Sequence, residues 1–291
     1  MSLHNDLCQN ILLKLDNLVE GNIISRPSKL VKSPYVADVN IKGKTVLAHT
    51  ASLGCCGLSD VNSSVLMEPK MNIKYDNDEY DKKCKYSVYL SILREKNAEV
   101  IVGIHPKMAE RLVETALTKN LLTKLYKVKS YKRETKIYVR NKVDSRFDFT
   151  GIDCNGIPFI MEVKNVPLAD YENIPSKERK NKNYKNRDIN SKIAYFPDGY
   201  RKKITDTVSP RALKHIKELT LIKSESKTRC IMCYVIQRND VKQFQLSVVD
   251  PEYKEAVKMA INAGVEIITM VVEWTREGEA KFICDDLYIC V

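Results

Sequence analysis

A chain of 291 residues that is 44% apolar can bury one large core or two ordinary ones. Its 48 Lys+Arg against 37 Asp+Glu, a formal net charge of +11, favour polyanionic partners. No apolar run reaches the ~20 residues of a membrane-spanning helix, and MSLHNDLCQN lacks the basic start and apolar stretch of a secretory leader, so a soluble intracellular protein, cytoplasmic or nuclear, is expected with no membrane partner. Nine cysteines, an odd number in a long chain, argue against a disulfide scaffold and fit a reducing compartment.

The first segment, DLCQNILLKLDNLV, places Leu7, Ile11, Leu12, Leu15, Leu18 and Val19 at helical spacing and predicts an amphipathic helical extension over residues 1–17. From about residue 18 the pattern changes to short β-like runs, GNIISR, YVADVNI, KTVLAH and SSVLMEP, separated by Pro, Gly and Ser, which predicts a small barrel or meander. The charged stretch KMNIKYDNDEYDKKCK marks a boundary, giving a first domain over 18–84 and a second over 85–291.

In the second domain HPKMAERLVETALTKNLL reads as a helix opened by Pro106, followed by the strands KIYV, RFDFTGI and FIMEVKNV. SPRALKHIKELTLI is a second helix, with Ser209 as N-cap and Pro210 in its first turn. RCIMCYVIQ, KQFQLSV, a helix over EYKEAVKMAINAG and VEIITMVVEW complete an α/β alternation. Cys230 and Cys233 form a CxxC, but on a strand residues three apart point to opposite faces, so core packing is expected rather than metal binding.

The chemistry concentrates in SRFDFTGIDCNGIPFIMEVKN. Glu162 and Lys164 share one face of a strand, and Asn155-Gly156 signals a hairpin turn. A two-residue turn would set Asp148 opposite Val163, on the wrong face. A three-residue loop, Cys154-Asn155-Gly156 with Gly156 left-handed, sets Asp148 across from Glu162. Two carboxylates about 4 Å apart repel by roughly 4 kcal/mol at an effective dielectric near 20, so a cation is expected between or beside them. Mg²⁺ suits such a pair and leaves coordination positions for water and phosphate, while Lys164 would stabilise the attacking water or the phosphate charge. The plain alternative is a Glu162–Lys164 salt bridge on a partly exposed strand.

The segments SRFDF, FIMEVKNVPL, AYFPDG, ALKHIKEL, VIQRNDVKQF and DPEYKEAVKMAINAGVEI, in that order, resemble the sugar fermentation stimulation protein family (SfsA). IISRPSKLVKSPYVADV and the His49 region extend the likeness to roughly residues 18–275. The resemblance implies an α/β (α+β) chain: a small OB-like β-barrel, then a PD-(D/E)XK restriction-endonuclease-like domain with a mixed central sheet, and DNA binding. Residue by residue, it implies catalytic roles for Asp148, Glu162, Lys164 and Glu134, the three carboxylates holding Mg²⁺ or Mn²⁺, with Lys214 and His215 of the following helix against phosphate. Two readings follow: a metal-dependent nuclease, or a non-catalytic DNA-binding regulatory module on the same fold.

This sequence departs from the family pattern where HTASLG keeps His49 and Gly54 but not the intervening Cys, Pro and Asn, and His49 reads as structural. The connection from FPDG to the ALKH helix is longer than usual. An insertion at 171–192 carries seven Lys/Arg against three acidic residues and reads either as a mobile basic loop over a nucleic-acid backbone or as an ordinary disordered insertion. Between Leu121 and Lys142, eight Lys/Arg stand against one acidic residue among Tyr126, Tyr131 and Tyr138. Strand alternation there would gather one set of cations on a face as a phosphate-tracking stripe leading to Glu134, the plain alternative being a solvated strand face; Lys127, Lys129, Lys132 and Arg133 are the nucleic-acid-binding candidates of this segment. No Gly-rich cofactor loop or carbohydrate-site pattern is present, so no small-molecule cofactor is expected; the oligomeric state is not legible.

Overall fold

The apolar run ILLKL is a strand, not the heart of a helix. In the computed structural model, which describes residues 10–51, 57–70, 83–179, 181–197 and 206–290, Ile11–Lys14 forms β1 and pairs antiparallel with β16, Glu279–Cys284. A short apolar run has no periodicity that separates strand from buried helix. Here Leu12 and Leu15 are buried in the main core, and that burial decides the matter. The first nine residues of the expected helix lie outside the described residues, as do Gly54 and the connection after FPDG over residues 198–205.

Five strands follow: β2 (Val19–Ser25), β3 (Val36–Ile41), β4 (Lys44–Thr50), β5 (Ser64–Pro69) and β6 (Tyr86–Glu95). β2 pairs antiparallel with β3 and β5, β3 with β4, and β5 with β6, while β4 meets β6 in parallel, so the pairings close into a ring ordered β2-β3-β4-β6-β5. Ile23, Ala37, Val39, Ala48, Val65, Met67 and Val88 fill its interior. His49 belongs to this ladder, opposite Val36 on one side and Ser87 on the other. Because β6 is the fifth member of the ring, the boundary expected at residues 84–85 falls inside it.

From β6 a hairpin leads to β7 (Ala98–Gly103), which reaches a larger mixed sheet ordered β7-β15-β13-β10-β9-β8. Its members are β8 (Ser130–Val139), β9 (Val143–Ile152), β10 (Pro158–Val166), β13 (Arg229–Ile236) and β15 (Glu266–Trp274). β10, β13 and β15 run parallel, and β8 and β9 add as an antiparallel hairpin. Helix α1 (Pro106–Thr118) covers one face with Met108, Ala109, Leu112, Val113 and Ala116 against Phe149, Met161 and Cys233. Helices α2 (Pro210–Glu225) and α3 (Pro251–Asn262) cover the other, with Leu213, Ile216, Leu219 and Val257 against Phe147, Ile160 and Cys230. Cys230 and Cys233 thus lie in opposite half-cores, both fully buried, as the strand reading required.

The helix starts follow from their sequences. Pro106, Pro210 and Pro251 stand in first turns, where the missing N–H costs nothing. Asp250 caps α3 by accepting from the Tyr253 N–H at 3.1 Å, whereas Ser209 holds the N-cap position of α2 without a side-chain capping bond.

A small second sheet, β11 (Ala169–Asp170), β12 (Lys192–Phe196), β14 (Val241–Leu246) and β17 (Ile289–Cys290), completes the strands. The insertion expected to be mobile is tied down between this sheet and the ring. Lys96 donates to the Tyr171 hydroxyl at 3.2 Å and to the Tyr184 carbonyl at 2.8 Å, and the Tyr171 hydroxyl donates to Glu95 at 2.6 Å. Buried Lys192 bridges Glu95 at 2.9 Å and Asp240 at 2.8 Å. Asn173 donates to Gln245 and to the Leu246 carbonyl. With both ends of the segment buried, its charges sit on an anchored surface, not on a free lid.

Candidate active site

The β9-β10 hairpin turns over Asp153–Ile157, where the Asp153 carboxylate accepts from the Asn155 and Ile157 N–H groups at 2.9 Å each. Gly156 takes φ +83°, which a side chain rarely adopts. The register that results pairs Pro158 with Ile152, Phe159 with Gly151, Ile160 with Thr150 and Met161 with Phe149. This is the odd-loop register; it ends at Met161 and Phe149, one residue short of Asp148 and Glu162, which are close enough for the charge of Glu162 to act on Asp148. There the ladder stops: Asp148 Oδ2 accepts from the Val163 N–H at 2.7 Å, so a side chain takes the place of a backbone carbonyl and the strands part.

Glu162 points to the α2 side and is 2% exposed. Its Oε1 is shared by the Lys164 ammonium, two residues along the same face, and by His215 Nδ1 from α2. Its Oε2 is buried without a hydrogen-bond partner. Burial pushes the Glu162 carboxyl up, but Lys164 and His215 outweigh it and hold the group below the usual carboxylate range. Asp148 has no such pair of donors. Burial first, then the charge of Glu162, push it up to about 7, against the pull of the Val163 N–H and Lys164. Two adjacent carboxylates with separated affinities for protons, one lysine and an unpartnered buried oxygen make a site suited to a hard cation and a phosphate. The Glu162–Lys164 salt bridge is real but buried, with side-chain exposures of 2% and 13%, unlike the half-exposed strand pair that was the plain alternative.

Glu134 does not join this group. It sits in β8 with φ +47°, its side chain 60% exposed and 3.5 Å from the Arg146 guanidinium. The left-handed residue breaks the alternation of β8, so that Thr135 Oγ1 meets Thr150 Oγ1 at 2.8 Å. Among the described residues no cluster of three His, Cys, Asp or Glu side chains suited to a metal is found.

His215, expected against phosphate, is 3% exposed, with its ring 5.5 Å from that of Phe147 and its Nδ1 on Glu162. It serves the carboxylate from beneath. Lys214, one residue earlier and 53% exposed, donates to the Asp144 carbonyl at 2.6 Å.

The expected cationic stripe is also divided. Lys127 and Lys129 precede β8; Lys127 lies 5.1 Å over the Tyr126 ring, and Lys129 comes near Gly156, at the turn end of the hairpin remote from Asp148. Lys132 pairs with Thr150 of β9. Arg133 points to the other face, where Glu110 at 3.1 Å and Glu114 at 2.7 Å hold it over Phe149. Glu110 adds negative potential at Asp148. These two glutamates escaped the sequence reading, although their four-residue spacing in KMAERLVETAL puts them on one helix stripe.

The sugar fermentation stimulation protein RE domain matches residues 178–278. A sugar fermentation stimulation protein homolog of Jannaschia sp. is 28% identical over 263 residues, covering 90% of each chain. A homolog from Prochlorococcus marinus (strain MIT 9301) is 29% identical over 274 residues, 91% of this chain and 94% of its own. The structure of Pyrococcus furiosus SfsA in complex with Ca²⁺ superposes with a TM-score of 0.70 at 20% identity, covering 97% of this chain and 99% of that one, so the two share a fold.

Proposed function

Because the chain belongs to the sugar fermentation stimulation protein family and carries a restriction-endonuclease-like domain, we propose that it binds nucleic acid, DNA first among candidates, and hydrolyses phosphodiester bonds with a divalent cation. The observation that carries this reading is the unpartnered Oε2 of buried Glu162, beside an Asp148 carboxyl that burial and the charge of Glu162 push well above the usual carboxylate range. Both features are costly in a purely structural pair. The net charge of +11 supports a polyanionic partner. The Ca²⁺ in the Pyrococcus furiosus relative supports a divalent cation, for which Mg²⁺ or Mn²⁺ is our choice. The ring of β2 to β6, with its parallel β4-β6 closure, supports an OB-type barrel ending at Glu95.

The donor set fits such an ion. Asp148 and Glu162 are two carboxylates on adjoining strands, and Mg²⁺ is commonly held by one or two carboxylates plus water and phosphate. When bound, it would neutralise both charges, acidify a water and polarise the phosphate. Asp148 and Glu162 would hold the ion through their carboxylates. Lys164, one contact away, is placed to stabilise the charge that builds on the phosphate oxygens. Lys132, whose β9 partner Thr150 is two residues from Asp148, helps to seat the backbone.

A non-catalytic DNA-binding module is favoured by one feature, the Lys164 ammonium already neutralising Glu162. Purified protein incubated with labelled single- and double-stranded DNA and RNA, with Mg²⁺, Mn²⁺ or chelator, separates the two. Cleavage lost in Asp148→Ala and Glu162→Ala with binding retained establishes the enzyme; no metal-dependent cutting of any substrate leaves the module.

A further inference from the structure

We propose that His215 is a positioning residue for the metal-facing carboxylate: together with Lys164 it occupies Glu162 Oε1, so that Oε2 alone is presented as a ligand. The inference rests on the metal-dependent reading above. A glutamate has three rotatable side-chain bonds, and an unrestrained one would offer either oxygen or both. Here the geometry removes that freedom. His215 Nδ1 and the Lys164 ammonium converge on the same oxygen, while Oε2 is buried with no partner. The imidazole is itself fixed, being 3% exposed on α2 with its ring centre 5.5 Å from, and inclined 51° to, that of fully buried Phe147 of β9. Phe147 is one residue from Asp148, so a single packed unit of β9, β10 and α2 sets the placement of both carboxylates. An ionised Glu162 can only accept, which assigns the proton of that contact to His215 Nδ1. Groups that hold a ligating carboxylate in place typically change metal affinity or activity by about 10- to 100-fold when removed.

The position of the donor gives a test that packing alone would not pass. His215→Asn keeps an N–H donor where Nδ1 stands; His215→Gln moves it to the place of Nε2; His215→Phe keeps the ring and has no donor. Mn²⁺ binding to the purified full-length variants is measured by isothermal titration calorimetry, with thermal midpoints as a check on folding. We expect the Mn²⁺ Kd to rise about 10- to 100-fold in His215→Phe and His215→Gln and to stay within about threefold of wild type in His215→Asn. If His215→Phe fails to fold, the Asn and Gln pair still decides. Equal affinity in the Asn and Gln variants, or wild-type affinity in a folded His215→Phe, overturns the proposal while leaving the metal reading intact. No Mn²⁺ binding by wild-type protein overturns the metal reading, and this inference with it.

Discussion

Replacing Asp148 by Asn should stabilise the metal-free protein, and more so as the pH rises. The Asp148 carboxyl ionises at 3.8 when unfolded but at about 7 in the fold, where burial and the Glu162 charge oppose ionisation. Between those values the folded chain holds a proton that the unfolded chain has lost, so stability falls as pH rises through this window and the loss is complete above about pH 7. At about 1.4 kcal/mol per pH unit the full cost approaches about 4 kcal/mol, and partial exposure brings it to about 2 to 4 kcal/mol. An Asn removes the charge while its carbonyl still accepts from the Val163 N–H. Urea unfolding in chelator at pH 5 and pH 8 measures the difference between wild type and variant, so that all other titrations cancel. The gain should be larger at pH 8 by about 2 kcal/mol. A variant no more stable than wild type at pH 8, or a gain that does not grow with pH, refutes the argument that Asp148 is held against ionisation.

Glu162→Gln leaves the Lys164 ammonium without its counter-charge in a buried place, and should lower stability by about 3 kcal/mol in the same urea assay. Gly151→Ala should destabilise by about 3 kcal/mol or more, because the new methyl would stand 2.2 Å from the Ser130 carbonyl oxygen and 2.6 Å from the Phe159 ring; a drop in thermal midpoint reports it. Among the basic residues, Lys132→Ala should weaken oligonucleotide binding and reduce the slope of log affinity against log salt by about 1. Arg133→Ala should leave that slope nearly unchanged, since Glu110 and Glu114 already compensate its charge. Fluorescence anisotropy across a salt series distinguishes the two. Saturating Mn²⁺ should raise the thermal midpoint of wild type but not of Asp148→Asn, as a ligand that binds only the folded state requires.

Local patterns carried much of the site. The register of the β9-β10 hairpin follows from period-two alternation and a glycine able to adopt a left-handed turn, so the pairing from Ile152 and Pro158 to Phe149 and Met161 could be read from residues 145–165 alone. The opposite faces of Cys230 and Cys233 follow from the same period, and the starts of the helices at Pro106 and Pro210 follow from a proline in the first turn. Sequence failed where the answer lay in what packs against a segment from far along the chain. ILLKL became a strand because β16, more than 260 residues away, offered it an edge. His215 and Lys214 are neighbours in one motif, yet only the packing of α2 on β9 and β10 sends one to Glu162 and leaves the other in solvent. Glu134, set between the pairs Arg133–Phe149 and Thr135–Phe147, has a left-handed backbone and a side chain turned to Arg146, which no side-chain pattern announces. Residue types and their alternation dictate which groups share a face, because that is fixed by covalent geometry over a few residues. Which partner meets each group, and therefore its charge and its use, is decided by burial against distant elements, and only the assembled structure supplies those.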